Sequence, residues 1–236
     1  MFYFVLIGLA AAFAVMLLFG GLELDRALML IGYAGNRPEL VRYARGLTEL
    51  GAGTFLIPVT IAAALLLLFT RRWVQAAVLL ATTASGALIV EVVKSQVARV
   101  RPDEYRHLVE LQPIVASNAD FSFPSAHSAN STIVFLSLAL LLVEGPRARS
   151  LAVWAAVWLS LAVGATRVML GVHWPSDVLA GWTFGLFWTL LLLRLSGQDL
   201  GDGTRRRVSH FPPEGDSHER RPEPGAAAGG RSPADR

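Results

Sequence analysis

Long uncharged apolar runs constrain this chain more than any other feature. Met1 to Leu22 carries no charged side chain and is long enough to cross the hydrocarbon core of a bilayer as a helix. A cleaved signal peptide is the alternative, but no basic residue precedes the run, and it is long for the apolar part of such a leader. Further runs follow at Gly51–Thr70, Trp73–Val90, Phe121–Val143 (interrupted only by His127), Leu151–Thr166 and Val178–Leu193. The last two are short for a crossing unless they extend into flanks carrying Arg167 and Asp177, which would then line a polar cavity. The expected architecture is therefore all-α, a bundle of six transmembrane helices.

Composition agrees. Of the 236 residues, 53% are hydrophobic and 17% charged, with a mean hydropathy of +0.48, a more apolar balance than in ordinary soluble domains. A net charge of +3 with no long basic run on a foldable segment argues against nucleic acid and suits an anionic lipid partner. With no cysteine, disulfides, thiolate catalysis and cysteine-bound zinc are excluded.

Basic residues in the connections orient the bundle. Arg71 and Arg72, Arg147 and Arg149, and Arg194 with Arg205 to Arg207 fall on one side if the helices alternate, so that side and both termini are expected to be cytoplasmic. The other side then holds the segments 23–50, 94–120 and 167–177, a multi-pass arrangement in the cell membrane with its polar face extracytoplasmic. Leu24, Leu28, Ile31, Leu40, Val41 and Leu47 predict one or two short amphipathic helices within 23–50, lying on the outer surface or packed against the bundle. The membrane domain is expected over 1–196. Residues 197–236, rich in Gly, Pro, Arg, Glu and Ser, cannot bury enough surface to offset ordering entropy and are expected to form a disordered cytoplasmic tail.

Ionisable groups are costly near a bilayer, yet here they gather in three places on the expected outer side. In the first, Lys94 and Arg101 stand seven residues apart before Pro102, which would place two cations on one helix face. They either snorkel to headgroups or hold an anion between them. The second is Pro124-Ser125-Ala126-His127, where Pro124 in a first turn would leave backbone N–H groups of Ser125, Ala126 and His127 free for an anion. Ser125 adds a hydroxyl, and His127 is either an interfacial structural residue or a proton carrier. The third runs from Thr166-Arg167 to His173-Trp174-Pro175-Ser176-Asp177. Arg167 offers a planar fork for phosphate oxygens, and Asp177 lies four residues from His173. That pair is either a structural hydrogen bond or a carboxylate that sets the imidazole tautomer for nucleophilic attack.

Taken together, Lys94-x6-Arg101-Pro102, Pro124-Ser125-Ala126-His127 and Thr166-Arg167-x5-His173-x3-Asp177 resemble the three-part signature of the type 2 phosphatidic acid phosphatase superfamily. The motifs span residues 94–177, about a third of the chain, and depart from the family pattern at Ala126, where it has glycine, and Thr166, where it has serine. The resemblance implies His173 as the nucleophile forming a phosphohistidine, Asp177 as its orienting partner and His127 as the acid and then base. It implies phosphate binding by Lys94, Arg101, Arg167, Ser125 and the Ala126 backbone. It also implies no cofactor and no metal; zinc held by His107, His127 and His173 is the disfavoured alternative.

The expected function is hydrolysis of a membrane lipid phosphate, with undecaprenyl diphosphate, phosphatidic acid, phosphatidylglycerol phosphate and a phosphorylated lipid A all fitting. The expected partners are that lipid and the bilayer, with no nucleic acid and no obligate protein partner. The loop 103–120, with Tyr105, Arg106 and His107, is either the headgroup reader or inert. Rival readings are a lipid phosphotransferase, a haloperoxidase-type pocket (set against by the six spans) and a transporter of anionic lipid that would need the cations but no oriented nucleophile.

Overall fold

Helix boundaries largely follow the turn chemistry of the chain. The computed structural model describes residues 1–20, 23–102 and 121–198. The helices are α1 Phe2–Phe19, α2 Glu23–Gly32, α3 Pro38–Thr48, α4 Gly53–Phe69, α5 Trp73–Val97, α6 Ala126–Leu142, α7 Pro146–Met169 and α8 Pro175–Leu195, with a 3-10 turn at Glu49–Gly51. Proline opens α3, α7 and α8, where its missing N–H is no loss and its φ is already helical. Among the described residues the only pairing outside helices is an isolated antiparallel bridge between Val100 and Phe121. The expected headgroup loop 103–120 and the expected tail from residue 199 onward lie outside the described residues.

Five helical stretches are long and apolar enough to cross a membrane: α1, the run from α3 through α4, α5, α7 and α8. The cores expected at Leu151–Thr166 and Val178–Leu193 lengthen to 24 and 21 residues by taking in Arg147, Arg149, Arg167 and Asp177 at their ends. The remaining apolar helix, α6, has 17 residues and is packed by α4, α5, α7 and α8. Being enclosed by protein, it tolerates the buried hydroxyls of Ser128, Ser131, Thr132 and Ser137. Thr132 and Ser131 return theirs to the Ser128 carbonyl.

Close approach of α6 and α8 aligns the two helix starts that carry the site. A Cβ at Gly181 would lie 2.7 Å from the Ser125 carbonyl oxygen, and one at Gly185 would lie 2.7 Å from Thr132 Cβ. These glycines, one turn apart, let the backbones meet as small-residue stripes do in membrane helices. The Ser125 N–H then donates to the Asp177 carbonyl at 3.0 Å, pinning the two starts together. The amphipathic helices expected in 23–50 are α2 and α3. Ala44 of α3 packs on Leu170 and Val172, so α3 covers the connection between α7 and α8. At the opposite end of the bundle, Arg72 donates to the Leu141 carbonyl and pairs with Glu144.

Two helix ends differ from expectation. Lys94 and Arg101 do not share a helix face, because α5 stops at Val97 and Ala98 turns left-handed at φ 48°. Pro124 is not in the first turn of α6; it follows a cis Phe123–Pro124 bond, and Ser125 is the N-cap. In detergent, Gly181→Val should lower unfolding stability by about 1–3 kcal/mol through forced separation of α6 and α8. Gly8→Ala, where an added Cβ meets nothing, should not lower it.

Candidate active site

The site is assembled where α5 and α7 end and α6 and α8 begin. His173 lies in the connection before α8, reached through a turn in which Gly171 takes φ 69°, and is 1% exposed. Its Nδ1 is 3.6 Å from Asp177 Oδ2, an electrostatic contact slightly longer than a hydrogen bond. Catalytic contacts of this kind commonly tighten when substrate binds. Its Nε2 faces Arg101 Nη1 at 3.4 Å, and that same nitrogen donates to the Val172 carbonyl at 2.8 Å. The imidazole is thus held between a carboxylate on one edge and a guanidinium on the other.

Asp177 is fully buried in the first turn of α8, where Oδ2 accepts from the Trp174 N–H at 2.9 Å. Its Oδ1 accepts from Arg99 Nη1 at 2.9 Å. Arg99 also donates to the carbonyls of Met16 and Leu17 at the end of α1, and its guanidinium lies 4.3 Å from the centre of the Phe123 ring. One side chain therefore ties α1 to the start of α8. A second clasp comes from α2. Asp25 accepts from the Ser176 N–H at 2.9 Å and from the Ser176 hydroxyl.

The remaining expected residues surround His173. Lys94 is 5% and Arg101 9% exposed, and Arg101, Arg167, Lys94 and His127 all lie within electrostatic reach of the imidazole. Burial, followed by the positive fields of those groups, holds the His173 pKa well below its ordinary 6.5. Arg167 donates to the Thr48 hydroxyl at 2.8 Å, while its buried Nε has no hydrogen-bond partner. Ser125 plays a different part from the one expected of its backbone, since its N–H is taken by Asp177. Its hydroxyl accepts from the Ser128 N–H and hydroxyl, which leaves its own proton to donate elsewhere. Ala126 and His127 head α6, where backbone N–H groups have no intrahelical acceptor. His107 lies outside the described residues.

Arg99, Asp25 and Thr48 escaped the sequence reading. Arg99 was visible as a further cation between Lys94 and Arg101, but nothing local announces that it reaches α1 and Asp177. Asp25 and Thr48 look like ordinary residues of amphipathic helices, and only packing brings them to Ser176 and Arg167.

Such a cluster of cations around a buried histidine pair, at the end of a bundle of membrane-length helices, defines a helical membrane protein with an anion-binding site. Residues 75–199 match the PAP2 superfamily. The chain is 31% identical to phosphatidylglycerophosphatase B of Bacillus subtilis over 74% of its own length and 83% of that protein. It is 30% identical to the undecaprenyl-diphosphatase of Sulfolobus acidocaldarius, over 70% of this chain and 79% of that one. With the lipid A 1-phosphatase of Rhizobium johnstonii it shares 37% identity, over 50% and 46% of the two chains. The crystal structure of a transmembrane PAP2-type phosphatidylglycerolphosphate phosphatase from Bacillus subtilis superposes with a TM-score of 0.71, at 26% identity, over 86% of this chain and 98% of the other. The chain belongs to the PAP2 superfamily.

Removing Arg99 leaves the buried Asp177 carboxylate without its cation. Arg99→Met should cost about 3–5 kcal/mol of stability, and Arg99→Lys less, measured by thermal unfolding in detergent. His173 produces a separate signature. Above about pH 6.5 it is neutral in both states; below, the unfolded chain takes up a proton that the folded site refuses, so stability falls as pH falls. One unit below 6.5 this contribution is about 1.4 kcal/mol. The melting-temperature difference between pH 7.5 and 5.5 should therefore be smaller in His173→Asn than in wild type.

Proposed function

We propose that this protein is an integral membrane lipid phosphatase that removes phosphate through a phosphohistidine at His173, without a metal. The observation that carries the reading is the placement of His173 between Asp177 and Arg101. A carboxylate at Nδ1 favours the tautomer with the proton there and leaves the Nε2 lone pair for attack. A guanidinium beside Nε2 stands where a phosphoryl oxygen would sit next to the nucleophile. Burial keeps the imidazole unprotonated, as a nucleophile must be.

In the first step Nε2 bonds to phosphorus as the bond from phosphorus to the lipid oxygen breaks. Protonated His127 delivers its proton to that departing oxygen. Lys94, Arg101 and Arg167, with the Ser125 hydroxyl and the Ala126 N–H, take the developing charge on the phosphoryl oxygens. In the second step His127 accepts a proton from water as the water oxygen bonds to phosphorus and the bond from Nε2 breaks. Inorganic phosphate leaves and both histidines return to their starting state. Asp177 is engaged by Arg99 and the Trp174 N–H, so it serves the imidazole rather than a cation.

The relatives act on phosphatidylglycerol phosphate, lipid A and undecaprenyl diphosphate by their names, which supports a lipid phosphate as substrate. A site at the end of the bundle suits a headgroup at the surface with its tail in the bilayer. In this reading α1, α4, α5, α6, α7 and α8 cross the cell membrane as six spans. The catalytic end and α2–α3 then face outward, and the arginines at the opposite end face the cytoplasm.

The test is phosphate release from a panel of lipid phosphates in detergent with EDTA. Wild type should retain activity, His173→Ala should lose it, and His127→Asn should fall by about a hundredfold or more. Acid-labile phosphate trapped on wild type and absent from His173→Ala would mark the intermediate. Activity abolished by EDTA and restored by a divalent ion would overturn the metal-free mechanism. Absence of release from every lipid by folded wild type would sink the hydrolase.

A further inference from the structure

A cleft of about 370 Å³ opens between α4, α5 and α6, lined by Leu56, Ile57, Leu80, Ala87 and Val134 together with Asn130. Helical register joins it to the catalytic end. Asn130 follows His127 by one turn and Val134 by two, while Ala87 and Leu80 continue the face of Lys94 at steps of seven. At its upper rim Gly53 lines the cleft, and a Cβ on nearby Gly51 would lie 3.3 Å from the His127 ring. On the α1 side the bundle is filled by Phe13, Phe123, Phe184 and Trp188 in ring contact.

The interior of the cleft is hydrocarbon except for one group that stands out. The Asn130 side-chain oxygen is buried and has no hydrogen-bond partner. Thr83, also in the lining, already gives its hydroxyl to the Leu79 carbonyl. A buried carboxamide atom without a partner is costly unless something else supplies one. It sits about 4.5 Å deeper along α6 than His127, from three residues of helical rise.

Attack by His173 requires the departing oxygen on the far side of phosphorus, next to the group that protonates it. On the reading above that group is His127, so the lipid must continue from the His127 side, where this cleft begins. We propose that the α4–α5–α6 cleft holds the lipid portion of the substrate, and that the Asn130 carboxamide hydrogen-bonds the first polar group beyond the bridging oxygen. That chemistry selects a phosphomonoester of a glycerolipid, whose carbons just past the bridging oxygen bear ester or hydroxyl oxygens. A prenyl phosphate has only hydrocarbon there and would leave the carboxamide unpaired.

The experiment compares kcat/KM for phosphatidic acid or phosphatidylglycerol phosphate, for a long prenyl phosphate, and for a short water-soluble alkyl phosphate. Wild type should prefer the glycerolipid. Asn130→Leu should reduce that preference about tenfold by weakening glycerolipid turnover, without reducing prenyl turnover. Ala87→Phe, which fills the cleft, should depress both long-chain substrates and spare the short one, and that retained activity shows that the variant is folded. A wild-type preference for the prenyl phosphate overturns the proposal. So does an equal effect of Asn130→Leu on both lipid classes, or unimpaired long-chain turnover in Ala87→Phe. Failure of wild type to hydrolyse any of the three would instead remove the phosphatase reading, and the cleft assignment with it.

Discussion

The buried carboxylate of Asp177 is where the catalytic end of this bundle is tied together. It is fully buried, and its two oxygens face Arg99, the Trp174 N–H and the His173 ring. The backbone of the same residue accepts the Ser125 N–H, so one position connects α8, α6, the His173 connection and, through Arg99, α1. A charge in such a place is tolerated because partners are supplied on every side; without them it would neutralise or unfold the site. Arg99 likewise saturates carbonyls that the end of α1 leaves without intrahelical donors.

Lys94, Arg101 and Arg167 present the opposite problem. They are crowded cations held close to neutral imidazoles, with a single carboxylate of the site already committed to Arg99. Mutual repulsion at such range is relieved by an anion placed among them, which is the physical meaning of the site's shape. The protein is therefore built in a state that favours phosphate before phosphate arrives. The stability that this crowding costs is offset elsewhere, by the close α6–α8 crossing at Gly181 and Gly185 and by the apolar packing of α4, α5, α6 and α8 below it.

Much of this was legible beforehand. Apolar runs located the helices to within a few residues, and α7 and α8 lengthened in the direction that Arg167 and Asp177 suggested. The spacing of His173 and Asp177 correctly implied that they meet, since Pro175 starts a helix and brings its first turn back to the preceding loop. Expectation failed where a local rule met a tertiary competitor. Lys94 and Arg101 were assigned to one helix face, but α5 ends early because Arg99 is drawn to Asp177 and the end of α1, and the chain turns at Ala98. Ser125 was expected to offer a free N–H, but that group is used to join α6 to α8.

By itself the sequence determined which stretches must be helical and apolar, and which side chains can carry phosphoryl chemistry in which order. Those properties depend on composition and on spacings within a turn or two. Only the tertiary structure decided that Arg99 would bridge to Met16, that Asp25 would clasp Ser176, and that an unpaired Asn130 would face a cleft beneath His127. These pairings join residues on different helices. No periodicity encodes them, because they are chosen by how several helix surfaces fit at once.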